Sequence, residues 1–115
     1  MVGKSKAQTK EDKRRFSLLS QVGCICCKQF GIHNEWIQAH HIVEGNKRRG
    51  HQFTLPLCTW HHEGVPPEGM TREQTEALVG PSLKSKKRFD EVFEGEMELL
   101  EKVNDILREI EESFV

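Results

Sequence analysis

Two short knuckles constrain this chain more than any other feature. Cys24-Ile-Cys-Cys27 is a C-x-x-C pair, and about thirty residues later Cys58-Thr-Trp-His61 is a C-x-x-H pair. Each turn presents two ligands, and two such turns supply the four-coordinate shell of a structural zinc. Thiolates suit that borderline-soft ion. The chain also needs such a staple. Apolar residues are 36% of 115 and Tyr is absent, so only a small core is available. The N-terminal stretch MVGKSKAQTKEDKRR has no signal-peptide core, and no apolar run approaches the length of a membrane span. A cytoplasmic setting follows as the expectation, and there close cysteines bind metal more often than they form disulfides. Cys26 is left as a spare thiol, since the three-residue gap favours Cys27. The competing reading is a set of buried free cysteines beside a surface histidine.

Charge is unevenly spread behind a net value of −1. Residues 1–89 carry 15 Lys+Arg against 8 Asp+Glu, whereas residues 90–115 carry 2 against 10. Basic clusters stand at Lys13-Arg14-Arg15, Lys47-Arg48-Arg49 and Lys84-Ser85-Lys86-Lys87-Arg88. A positive body fits a polyanionic partner, and an acidic tail fits solvation or a protein contact.

Apolar periodicity predicts a helix from about Lys10 to Val22, ended by Gly23, with CICC following in a tight turn. Trp36 to Ile42 alternates enough for one strand, and HQFTLPLC reads as a second, held to an edge or an irregular turn by Pro56. Together they form a hairpin around the basic loop EGNKRRG. TWHHEG reads as a brief helical turn. Thr71 and Gln74 form a capping box that opens a helix over Arg72 to Val79. Two helices close the chain, Lys86 to Glu94 and Glu96 to Glu112. The second has Met97, Leu100, Val103, Leu107 and Ile110 on one stripe, expected to pack on its own domain. Residues 1–12 are expected to be a disordered basic arm, and 13–115 a single domain. Trp36 and Trp60 are expected to pack in the core rather than to stack on bases.

Four of the six histidines occur as doublets, His40-His41 and His61-His62. Adjacent residues of a strand point to opposite faces. With His61 in the zinc shell, His62 points toward the strand carrying the other doublet. One of His40 and His41 then joins His62 on a second metal, and its neighbour faces a substrate. Such an arrangement suits phosphodiester hydrolysis, because a divalent ion stabilises phosphate charge and a neutral imidazole takes a proton from water.

The pattern CICC…AHHI…H…LPLCTWHH resembles the zinc-stapled HNH endonucleases, whose core is a ββα-metal unit. GCICCKQFGI, AHHIVEGNKRRGHQFTLPLCTWHHEG and GPSLKSKKRFDEVFEGEMELL resemble the Ref-like, RecA-dependent nucleases of phages and prophages. The fold the resemblance implies is α+β, a small zinc-stapled ββα-metal core with flanking helices. It implies His40 and His62 as ligands of a catalytic divalent ion, Mg²⁺ or Mn²⁺ with Zn²⁺ as a further candidate. His41 is then the general base, and His51 braces the loop and orients that base. Cys24, Cys27, Cys58 and His61 hold the structural zinc. Lys47, Arg48, Arg49, Lys86, Lys87 and Arg88 are the candidates for phosphate contacts. Four residues after His62, where the family often has a further ligand, this chain has Pro66, which cannot coordinate. Water or substrate phosphate fills that place, or the metal binds weakly without DNA. The implied function is a metal-dependent DNA endonuclease acting in phage recombination in the bacterial host cytoplasm, with DNA and a RecA-type recombinase filament as partners. The rival reading is a non-catalytic, zinc-stabilised nucleic-acid-binding module.

Overall fold

A computed structural model describes residues 7–113 apart from 45, 46 and 49, with side chains described throughout except at 44, 47 and 48. The elements are α1 (Lys10–Val22), α2 (Ile25–Lys28), β1 (Gln38–His41), β2 (Val43–Glu44), β3 (Lys47–Arg48), β4 (Thr54–Leu57), α3 (Thr59–Glu63), α4 (Arg72–Val79), a 3-10 turn (Leu83–Ser85), α5 (Lys86–Phe93) and α6 (Glu96–Glu112). The class is α+β, as expected. Among the described residues no helix is long and apolar enough to cross a membrane.

Strand β4 is the centre of the molecule. Its four residues, Thr-Leu-Pro-Leu, are all buried, because α1, α2, α3 and α6 all pack against it. An apolar run without alternation is what a strand covered on both faces requires. β1 pairs with it antiparallel, His40 opposite Leu55 and His41 opposite Thr54. Pro56 stands opposite Ala39 in this two-stranded sheet, where a missing N–H is tolerated at an edge. The basic loop between the strands carries a further short antiparallel pair, β2 with β3.

Helix α1 starts three residues before the expected domain boundary at 13. Thr9 caps it, with Thr9 Oγ1 accepting from the Asp12 N–H at 3.1 Å and Asp12 Oδ2 accepting from the Thr9 N–H at 3.0 Å. Lys10, Glu11 and Asp12 thus belong to the folded body, while residues 1–6 lie outside the described residues. Arg15 is buried and binds three elements together. Its Nε donates to Thr54 Oγ1 at 2.8 Å, its Nη2 to the Thr54 carbonyl at 2.7 Å and its Nη1 to Asn104 Oδ1 at 2.8 Å. Arg15 therefore has a packing role, although it lies in a basic cluster.

The capping box at Thr71 and Gln74 forms as read, and α4 spans the expected residues. Helix α5 ends at Phe93 and is capped by Glu94, which takes a left-handed φ of 68°, and Gly95 follows with φ 108°. This reversal folds α6 back across the core. The buried face of α6 is Leu99, Leu100, Val103 and Leu107, so the helix packs on its own domain. Met97 is 47% exposed instead of lying on that stripe. Leu99 takes its place, because at 3.6 residues per turn it lies nearer than Met97 to the centre of the face formed by Leu100, Val103, Leu107 and Ile110.

Candidate active site and metal centre

Gly23 ends α1 with φ 78°, and a Cβ there would meet Asn34 O and the His33 ring at 3.1 Å. The sharp exit places Cys24 as the cap of α2, where its sulfur accepts from the Cys27 N–H. Cys58 occupies the equivalent position before α3. The two turns bring Cys24, Cys27, Cys58 and His61 together, all buried, with their ligand atoms within 4.8 Å of one another. The His61 Nδ1 lies 3.4, 3.7 and 3.2 Å from the sulfurs of Cys24, Cys27 and Cys58, and the Cys27 and Cys58 sulfurs are 3.8 Å apart. A tetrahedral zinc with Zn–S near 2.3 Å and Zn–N near 2.0 Å needs edges of roughly 3.5–3.8 Å. The cluster therefore fits zinc in donor type, number and spacing. Cys26 is buried but is not one of the four, and burial raises its thiol.

The tautomer of His61 is fixed from outside the cluster. Its Nε2–H donates to the Val79 carbonyl at 2.8 Å, which leaves Nδ1 as a lone pair facing the sulfurs. Trp60 reinforces the same joint, donating Nε1–H to the Gly80 carbonyl at 2.9 Å. Gly80 has φ 82°, and a Cβ there would press on Phe93 and Phe30 at 3.1 and 3.2 Å, so the end of α4 approaches the cluster only with glycine present. With protons in place of an ion, the groups are strongly polarised. Contacts from Cys26, Cys27 and Cys58 draw the Cys24 thiol far down, and contacts to Cys24 and Cys58 push Cys27 up. Burial pulls the His61 imidazole down, but Cys24 and Cys58 outweigh it and lift it to about 9. A divalent cation replaces this competition with four satisfied donors.

The second set of histidines divides across β1. His40 faces α3 and α6. Its ring lies 5.1 Å from that of His62 between centroids, and its Nε2–H donates to Glu96 Oε1 at 2.6 Å. Glu96 is also held by Lys86, whose Nζ lies 3.5 Å from Oε2. The His40 contact keeps the Glu96 carboxyl below its usual range, with burial opposing. His62 donates Nδ1–H to Gln38 Oε1 at 2.6 Å, and burial followed by His40 lowers its imidazole. His41 faces the other way, its Nε2 3.2 Å from His51 Nδ1, and Phe16 packs beside both rings. Thr54 fixes His51 by donating its hydroxyl to the His51 carbonyl at 2.9 Å.

The structure brings His40 beside His62 and His41 beside His51, and it adds Glu96 and Gln38 as their neighbours, to which the sequence reading did not point. Gln38 has a legible position, two residues before His40 and so on the same strand face. Glu96 lies 56 residues from His40 and no spacing points to it. Trp60 is buried as expected, whereas Trp36 is 82% exposed. Of the basic candidates, Lys47 and Arg48 form β3 and Arg49 lies outside the described residues. On α5, Lys86 pairs with Asp90 at 2.7 Å and Arg88 with Glu76 at 2.9 Å, while Lys87 is exposed.

Among known families, one described as recombination enhancement, RecA-dependent nuclease has a model that matches residues 8–108, which takes in both knuckles, both histidine doublets and most of α6.

Proposed function

This chain belongs to the RecA-dependent nuclease family of recombination enhancement, and from that premise we propose that it is a metal-dependent DNA endonuclease of the HNH type. It hydrolyses phosphodiester bonds in DNA engaged with a RecA-type recombinase filament. The observation that carries this reading is the order strand, strand, helix in β1, β4 and α3, which sets His40 and His62 5.1 Å apart beside the Cys3His clamp.

His40 and His62 hold the divalent ion, Mg²⁺ or Mn²⁺ with Zn²⁺ as the further candidate. When bound, that ion offsets charge on the phosphate and on the departing oxygen. His41 takes the proton from the attacking water, a task suited to an imidazole whose ordinary pKa is about 6.5. His51 keeps the His41 ring oriented through their 3.2 Å contact. Lys47, Arg48, Arg49, Lys86, Lys87 and Arg88 hold flanking phosphates without reading sequence. The ion pairs of Lys86 with Asp90 and of Arg88 with Glu76 are solvent-exposed and weak, so a phosphate can displace them.

The test is Mg²⁺- or Mn²⁺-dependent nicking of plasmid DNA and of recombinase-coated single strands. His41→Ala is expected to keep its zinc and its fold while losing cleavage by roughly 10²–10⁴-fold. Zinc-loaded protein that binds DNA but cuts neither single-stranded, duplex nor recombinase-coated DNA leaves the second reading, a non-catalytic nucleic-acid-binding module. In its favour, both rings of the His40/His62 pair already have a protein hydrogen-bond partner.

A further inference from the structure

The hydrogen bonds around His40 and His62 are asymmetric in a way that decides which nitrogens are available. Glu96 Oε1 accepts from His40 Nε2, and Gln38 Oε1 accepts from His62 Nδ1, each at 2.6 Å. A carboxylate and an amide oxygen only accept, so both protons belong to the rings. In a neutral imidazole the other nitrogen is then a bare lone pair. Those atoms are Nδ1 of His40 and Nε2 of His62, and neither has a hydrogen-bond partner among the described residues. Neither is sealed from solvent, since no buried side-chain nitrogen or oxygen lacks a partner among the described residues. Glu96 itself is only 15% exposed and is steadied by Lys86. His40, His62 and Glu96 do not form a three-ligand group, because the one such group among the described residues is the Cys3His cluster. The carboxylate therefore acts behind the ring instead of beside it.

We propose that Glu96 and Gln38 are the positioning residues of this pair. Each takes one ring N–H, locking His40 with Nδ1 free and His62 with Nε2 free as the two protein donors to a divalent cation. The inference rests on the reading that His40 and His62 hold that cation. It assigns the first residue of α6, brought back to β1 by the reversal at Glu94 and Gly95, a role in tuning the site. A ligating imidazole whose other N–H meets a carboxylate is a better donor, and loss of such a partner costs roughly 10–100-fold in metal affinity. It leaves two protein ligands and an open shell.

Two measurements on the zinc-loaded full chain test this. Nitrogen-15 NMR of the imidazole rings without added divalent ion is expected to report the Nε2–H tautomer for His40 and the Nδ1–H tautomer for His62. Mn²⁺ titration followed by electron paramagnetic resonance is expected to show one site beyond the zinc, lost in His62→Ala. That site should weaken at least tenfold in Glu96→Ala and in Gln38→Ala. Glu96→Gln, which keeps the acceptor, should recover part of the loss. Zinc content and thermal melts confirm that each variant is folded; if Glu96→Ala is not, Glu96→Gln and Gln38→Ala carry the comparison. The opposite tautomers overturn the proposal, as does Mn²⁺ affinity within twofold of wild type in both Glu96→Ala and Gln38→Ala while His62→Ala abolishes binding. In that last case the His40/His62 site stands without its positioning residues. Wild-type protein that takes up no Mn²⁺ beyond its zinc removes the site itself.

Discussion

Replacing Cys27 by serine removes one corner of the Cys3His clamp and leaves the other three donors buried within reach of one another. A structural zinc contributes roughly 10–16 kcal/mol of apparent folding free energy, or about 2.5–4 kcal/mol for each of four ligands. A domain of 115 residues has a total stability on the order of 6–17 kcal/mol. One ligand is therefore worth a large fraction of the whole. At about 4 °C per kcal/mol the melt should fall by roughly 10–16 °C. The structure gives no local escape, since the clamp joins α2 to α3 and, through His61 and Val79, to the end of α4. Zinc content by mass spectrometry and thermal melts by circular dichroism are the assays, with and without a strong chelator. Cys26→Ser is the control, because Cys26 is equally buried but outside the four. It should keep one zinc per chain and shift the melt far less. A Cys27→Ser protein that retains one zinc per chain and melts within about 3 °C of wild type refutes the reasoning.

Leu99→Ala should cost about 2–5 kcal/mol and Met97→Ala less than about 1, a contrast that chemical denaturation reads directly and that the sequence stripe alone would have reversed. Arg15→Ala leaves the buried Thr54 carbonyl without its donor and opens a gap among α1, β4 and α6. A loss of about 2–4 kcal/mol is expected by urea unfolding. Hydrogen bonds from Gln52 and from the Thr9 backbone hold the Asp12 carboxyl below its usual pKa. A depressed carboxyl stabilises the fold above its unfolded pKa, about 3.9, and loses that contribution as pH falls through the lower folded value. The difference in melting temperature between wild type and Asp12→Asn should thus be largest above pH 5 and shrink toward pH 2. DNA binding should weaken steeply with salt, and Lys87→Ala should lower the slope of log affinity against log salt by about one contact, measured by fluorescence anisotropy.

Where helices begin and end was legible because those signals are local. Thr71 with Gln74 and the glycines at 23 and 95 act within one turn of the backbone, and α4 and α6 fall where those residues put them. The Cys3His cluster was legible for a related reason, since C-x-x-C and C-x-x-H fix ligand pairs by spacing alone and only their meeting is tertiary. The sequence also determined that His40 and His41 serve different faces, because strand alternation leaves no other choice. The tertiary structure alone decided what each face meets. Glu96 reaches His40 because a left-handed residue and a glycine reverse the chain before α6, and Arg15 turns inward because β4 is covered on both sides. Contacts between residues tens of positions apart depend on how all the elements pack together, and no short-range spacing encodes them.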